Sequence, residues 1–366
     1  MKTLLLASTL LASIAAGSAF AADLPSRKAP ILPPPPPPPM WTGFYAGLNA
    51  GYGFGTNSNV QALALGQDAT VSTLYRGVVD SQPIYLPAAD AAATYYPSLP
   101  TGAGLAQSGS FANTQSGFIG GGQVGYNYQW GANFVVGLEA DMQGTGIRGR
   151  SHGVGVGGAS TTNPLLCFDG EGCSGNITHN ATSIGSTTVN AGVDWIGTVR
   201  GRLGYLFTPT MLVYATGGLT YGGVYANVQN YAVTSLSAQV SNDVKIPALD
   251  AFPMGLGGGT NHTFYGGGSR SQTLVGWNVG GGLEWMFMPN WSLKAEGIYW
   301  NMGNMNVPTA SFAAAPVSVN WSSPLSANNP LATVGNVRVN YQGVIARMGI
   351  NYHFNWGGSA PVVAQY

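Results

Sequence analysis

From Trp41 onward the chain alternates apolar residues with small or polar ones at a period of two, the spacing of strands whose two faces meet different surroundings. In GFYAGLNAGYGF, Phe44, Ala46, Leu48, Ala50, Tyr52 and Phe54 share one face, and Tyr45, Gly47, Asn49, Gly51 and Gly53 share the other. The same alternation predicts seven more strands, at 117–130, 133–143, 193–207, 211–225, 274–288, 290–300 and 337–354. In 193–207, Val193, Trp195, Val199, Leu203, Tyr205 and Phe207 oppose Asp194, Thr198, Arg200 and Arg202. In 290–300, Trp291, Leu293, Ala295 and Tyr299 oppose Ser292, Lys294 and Glu296.

The connections between these strands alternate in length. Trp130-Gly131-Ala132, Thr208-Pro209-Thr210 and Pro289-Asn290 read as tight turns, whereas the other four connections run over about 55–116, 145–191, 228–271 and 302–336. Short turns on one side and long loops on the other are the signature of a transmembrane β-barrel. The predicted fold is therefore all-β: an eight-stranded antiparallel transmembrane barrel with four long extracellular loops, short periplasmic turns and both ends of the barrel segment on the periplasmic side. A soluble β-sandwich would also alternate, but it has no need of the regular short-long rhythm.

Charge sharpens the picture. Only 7% of residues are charged, against roughly 25% in ordinary soluble domains. Glycine is abundant, 55 of 366 residues, and the formal net charge is zero, so no nucleic-acid partner is expected. Sorted by strand parity, Glu139, Asp141, Glu284 and Glu296 share the non-apolar faces with Arg200, Arg202, Lys294 and Arg347. Arg or Lys facing lipid at the bilayer midplane costs about 2–4 kcal/mol; facing the lumen, these acids and bases can form a neutral layer. An eight-stranded barrel is just wide enough inside to be filled by side chains, so the layer reads as a plug. The sharper competing reading is a narrow ion path or proton relay.

The ends complete the organisation. A basic start, an apolar run and Ala19-Phe20-Ala21 read as a signal peptide over 1–21, cleaved between Ala21 and Ala22. A Pro-rich periplasmic segment over 22–40, with Pro33 to Pro39 as a stiff polyproline spacer, leads into the barrel at 41–355 and a periplasmic tail at 356–366. Cys167 and Cys173 read as a loop-closing disulfide of an exported protein. Gly120-x-Gly122-x-x-Gly125 matches a nucleotide-binding pattern, but it lies within an alternating strand and reads as backbone packing. His152, His179, His262 and His353 have no partners at metal spacing, and no serine carries a catalytic constellation. No catalytic residue, cofactor or metal is assigned, and the expected protein is not an enzyme.

With the strands in place, WTGFYAGLNAGYGFG, VDWIGTVRGRLGYLFTPTMLVYATGGLTYG, VGWNVGGGLEWMFMPNWSLKAEGIYW and VIARMGINYHF resemble the small porin-like outer-membrane β-barrels of Gram-negative bacteria known as outer-membrane immunogenic proteins. The resemblance covers nearly all the strands and almost none of the loops. It implies an abundant, largely structural barrel in the outer membrane. Arg347-x-Gly349-x-x-Tyr352-x-Phe354 also resembles the last-strand signal read by the barrel-insertion machinery, although NWGGSAPVVAQY follows it here. Some members are reported to bind haem or host surfaces; those activities would sit in loops, so no such residue is carried over. The resulting expectation is a structural, surface-antigen barrel in contact with outer-membrane lipid and the insertion machinery, with peptidoglycan or periplasmic proteins as candidate partners of the Pro-rich segment. The alternative is a narrow pore or an uptake protein for haem or another small solute.

Overall fold

The computed structural model describes residues 40–56, 59–67, 76–79, 82–85, 98–164, 176–240, 260–314 and 332–354. Ala21, Ala22, Cys167, Cys173, the tail at 356–366 and all of the Pro-rich segment but Met40 lie outside the described residues. The strands in chain order are β1 (Gly43–Gly55), β2 (Asn59–Gln67), β3 (Arg76–Val79), β4 (Gln82–Tyr85), β5 (Gly109–Ala112), β6 (Ser116–Trp130) and β7 (Phe134–Thr145), continuing with β8 (Arg148–Pro164), β9 (Asn176–Thr208), β10 (Met211–Val240), β11 (Thr260–Met288), β12 (Trp291–Ala314) and β13 (Ala332–Phe354). One helix, α1 (Ser98–Gln107), precedes β5.

Eight of these strands close into a ring in the order β1, β6, β7, β9, β10, β11, β12 and β13. β13 returns antiparallel to β1, from Phe44 opposite Phe354 to Gly55 opposite Gly343. Closure removes the unpaired edge that an open sheet would expose. The eight are those expected from the alternation. Two of the three tight turns use residues that tolerate positive φ where the chain reverses: Gly131 at 67° after β6, and Asn290 at 73° between β11 and β12.

On the outside of the ring lies a belt of exposed apolar side chains, with Leu48 and Leu138 each 68% accessible. Two rows of aromatic residues bound it. At the tight-turn end, Phe134 packs on Tyr205, Trp291 on Tyr352, and Phe44 on Tyr126. Eight to ten residues up the strands, Tyr52 packs on Phe118, Trp195 on Tyr221, and Trp277 on Tyr299. At about 3.3 Å per residue and a tilt of roughly 40°, that separation is about 20–25 Å.

Two expectations are corrected. The stretches taken as long loops contain much regular structure. β9, β10, β11, β12 and β13 run far past the upper aromatic row, up to the 33 residues of β9. β8 lies along β9 and β2 along β13, with β5 beside β2, so the ring of eight belongs to an eleven-stranded sheet. Secondly, Val193 and Asp194 sit on the faces opposite to those expected. A bulge in β9 pairs Trp195 with Gly223 but Val193 with Val224, so Asp194 is the extra residue. Val193 therefore turns inward, fully buried, while Asp194 is exposed.

Above the upper aromatic row the chemistry of the two faces reverses. On β13, Val344, Ala346 and Met348 face outward in the belt with Arg347 inward; higher up, Arg338, Asn340 and Gln342 face outward, with Val337, Val339 and Tyr341 buried inside. This stretch of β13 thus obeys the outside-apolar rule within the belt and the inside-apolar rule beyond it, while on β2, β8 and β9 the outer face beyond the belt keeps exposed apolar residues such as Leu63, Val154, Val156 and Ile184.

Candidate functional site

The lumen is filled in four storeys. At the tight-turn end Trp41 crosses the mouth, donates from Nε1 to the Pro209 carbonyl at 2.9 Å, and clusters with Val135, Leu206, Leu212, Tyr214 and Met286. Next comes the charged storey. The eight acids and bases singled out in the sequence lie together there, each with at most 5% of its surface accessible. Strand register brings several into direct opposition: Glu139 faces Arg200 across β7 and β9, Glu284 faces Lys294 across β11 and β12, and Glu296 faces Arg347 across β12 and β13.

Glu139 is the hub. It pairs with Arg200, with Lys294 Nζ at 2.9 Å and with Arg202 Nη1 at 3.4 Å. It also accepts the Tyr45 hydroxyl at 2.6 Å. Asp141 takes Arg200 Nη2 at 2.9 Å, Arg347 Nη2 at 2.8 Å and the Thr198 hydroxyl at 2.8 Å. Glu296 takes Arg347 Nε at 2.5 Å, Lys294 at 3.1 Å and Arg200 Nη1 at 3.2 Å. Glu284 completes the set with Arg202 Nη2 at 2.6 Å, the Ser292 hydroxyl at 2.6 Å and Asn351 Nδ2 at 2.7 Å. Every charge has an opposite partner, which is the condition for holding ions in a dry interior.

Sequence reasoning by charge alone missed the neutral members of this network. Tyr45 bridges Glu139 and Arg202, accepting from Arg202 Nη1 at 2.8 Å, and the Arg202 guanidinium lies over the Tyr214 ring at 4.0 Å. The Ser292 hydroxyl also lies 2.9 Å from His353 Nε2. All were on the lumen-facing parity, so the signal was present in the register. Gly125, part of the glycine pattern noted above, has a packing role: a Cβ there would lie 2.4 Å from the Tyr45 ring, so glycine lets Tyr45 reach Glu139. Of the last-strand signal, Arg347 is committed to the charge network, while Tyr352 and Phe354 stack on each other in the lower aromatic row with Tyr352 also on Trp291.

The third storey is apolar, with Ile196, Val224, Ile298, Trp300, Met302, Tyr341 and Ile345 among its fully or nearly fully buried residues. The fourth is α1, whose small side chains fit against glycines of the wall. Ala103 packs with Ala232 and Phe264, and a Cβ on Gly157 would lie 2.2 Å from the Gly102 carbonyl oxygen. Gln107 ties the helix end across the mouth: its carbonyl accepts the Thr187 hydroxyl at 2.8 Å, and its Oε1 accepts Thr333 at 3.0 Å and Ser311 at 3.3 Å. Among the described residues, no group of three or more His, Cys, Asp or Glu side chains is placed to hold a metal ion.

No protein-family model matches the chain. It is 29% identical over 308 residues to the 31 kDa outer-membrane immunogenic protein of Brucella melitensis biotype 1, covering 84% of this chain and 90% of that protein. The protein of the same name from Brucella suis biovar 1 matches to the same extent. This is an outer-membrane protein. Its resemblance to the outer-membrane immunogenic proteins extends through most of both chains. Among solved structures, the Ail attachment invasion locus protein of Yersinia pestis aligns at 10% identity over 84% of this chain and 99% of its own, with a TM-score of 0.23. The outer-membrane protein OprG of Pseudomonas aeruginosa aligns at 10% identity over 86% and 97%, with a TM-score of 0.26. Neither superposition is close enough to carry a functional inference.

Proposed function

We propose that this chain is a closed, non-enzymatic barrel that spans the outer membrane and presents its extended wall and long connections at the cell surface as a structural, antigenic element. The observation that carries this reading is the filled lumen: Trp41, a neutral network of four acids and four bases, an apolar core and α1 succeed one another along it. A solute path would have to displace buried ion pairs and a packed apolar layer in turn. The exposed apolar belt between its aromatic rows suits the hydrocarbon of a bilayer, and the tight turns then lie in the periplasm with the ends of β1 and β13. In the same reading the insertion machinery engages the β13 end, and the Pro-rich segment reaches toward peptidoglycan or periplasmic proteins.

Reconstituted in planar bilayers, the protein is expected to show no steady conductance above the bare membrane. A steady conductance that Lys294→Ala or Glu296→Ala abolishes would overturn the closed-barrel reading in favour of a narrow pore. Orientation is tested separately by protease treatment of intact cells, which is expected to cut within 55–116; complete protection there, with cleavage after outer-membrane permeabilisation, would reverse the assignment of sides.

A further inference from the structure

Directly above the upper aromatic row, on the outer face where β12, β13 and β2 meet, the wall carries a polar groove of about 400 Å³. Its lining is almost wholly amide: Asn59 and Gln61 from β2, Asn301 and Asn304 from β12, Asn340 and Gln342 from β13, with Arg338 among them. A register shift between Asn301 and Gly303 opens it, with Gly303 at φ 80° and its backbone N–H held by Asn301 Oδ1 at 2.8 Å. The groove begins where the belt ends. Gln342 Oε1 accepts Asn301 Nδ2 at 3.0 Å and, at 3.4 Å, the hydroxyl of Tyr299, the topmost belt residue of β12.

The charge of this face is one-sided. Arg338 stands opposite Asn306 in the register, and Arg270, from β11, donates to the Asn306 carbonyl at 2.9 Å, so two exposed guanidinium groups flank one residue. Arg338 has no hydrogen bond or ion pair from its own side chain among the described residues. The only outward-facing carboxylate among them is Asp194, on β9, which is taken up by Arg148 at 2.9 Å. A guanidinium in a concave bed of amides, with no acid near it among the described residues, matches an anionic ligand rich in hydroxyl groups. Guanidinium forks bind phosphate bidentately, and amide side chains both donate to and accept from sugar hydroxyls.

We propose that this groove, with Arg270 and Arg338, binds the phosphorylated sugar headgroup of a glycolipid in the outer leaflet. The position selects a lipid over a free sugar phosphate, since acyl chains descending from the groove would lie along Tyr299, Leu293, Val344 and Ile350 in the belt. The proposal rests on the outward placement of the extended wall.

The test uses the full-length barrel in neutral detergent micelles doped with a bisphosphorylated diglucosamine lipid, with bound lipid counted by native mass spectrometry. Retention of the phosphorylated lipid at least tenfold above its dephosphorylated counterpart is expected. Arg270→Ala/Arg338→Ala is expected to lose most of that preference, at roughly fivefold per arginine, and Arg338→Lys to keep part of it. Arg148→Ala, at a guanidinium already paired, should leave it unchanged. All three variants are at exposed positions, and heat-dependent gel mobility verifies that each remains a folded barrel. Equal retention of the two lipids, or equal retention by wild type and double variant, overturns the proposal. So does displacement of the lipid by soluble glucosamine phosphate at equal concentration, which would make the groove a site for free sugar phosphates. Micelles present both ends of the barrel, so lipid counting reads the groove alone, while protease treatment of cells reads the sidedness. Binding together with inverted sidedness would place the groove in the periplasm and sink the outer-leaflet assignment.

Discussion

Glu139→Ala is expected to lower the stability of the folded barrel by about 3–5 kcal/mol, the cost of removing one member from a buried ionic network. Glu139 has 1% of its side chain accessible and is the carboxylate on which Arg200, Arg202 and Lys294 all converge. Its removal leaves four cations, with Arg347 the fourth at 3.6 Å, around a gap and takes away the acceptor for the Tyr45 hydroxyl. Asp141, Glu284 and Glu296 still pair with these bases, but three carboxylates cannot neutralise four buried cations, so one positive charge is left uncompensated. The measurement is a urea titration of the refolded protein in lipid vesicles, followed by tryptophan fluorescence and by the shift in gel mobility between folded and unfolded forms. Arg148→Ala is the comparison: that ion pair is 44% and 51% accessible on its two sides and should be worth less than about 1 kcal/mol. Equal midpoints for Glu139→Ala and wild type would mean that water enters the charged storey and solvates the stranded cations, which is incompatible with a plugged lumen.

The membrane-level part of this architecture was legible because the bilayer enforces parity over short, regular segments. Residues such as Leu293 and Lys294 are neighbours in sequence, yet one is outside in the belt and the other inside with no accessible surface. Charge at low abundance made the inward face unmistakable. Beyond the upper aromatic row the same rule misleads. There the interior is packed with apolar side chains, and on β10 Asn227 and Gln229 point outward while Val224, Ala226 and Val228 point in. A strand that swaps its solvent part-way loses its single alternating signature, and glycine and threonine at the crossover blur it further; these stretches therefore read as loops. The bulge at Asp194 is the other limit. One extra residue inverts the parity of everything on its far side, and nothing in VDWIG signals it. The helix was hidden for a different reason: SLPTGAGLAQ has two glycines, a proline and no charge, poor credentials for an isolated helix. Its stability comes from the wall, whose glycines at 155, 157 and 185 admit its backbone.

Because the lumen is divided into storeys of different chemistry, the apolar storey can be weakened independently of the ionic one. Trp300→Ala is expected to cost about 3–5 kcal/mol, as for other large aromatic residues removed from a packed core. Trp300 is 2% accessible, and its indole Nε1 has no hydrogen-bond partner, so the loss is one of packing and of the cavity left among neighbours such as Ile298, Met302, Tyr341 and Ile345. The charged storey below is closed by ion pairs that do not involve Trp300, and Trp41 closes the mouth beneath it. The variant should therefore be less stable yet still silent in planar bilayers. Combined with Glu139→Ala, the two losses should add to within about 0.5 kcal/mol, as for sites that share no partners. A larger coupling would mean that the ionic and apolar storeys respond as one unit. A steady conductance in Trp300→Ala alone would show that the charged storey passes ions and that the apolar core above it is the seal.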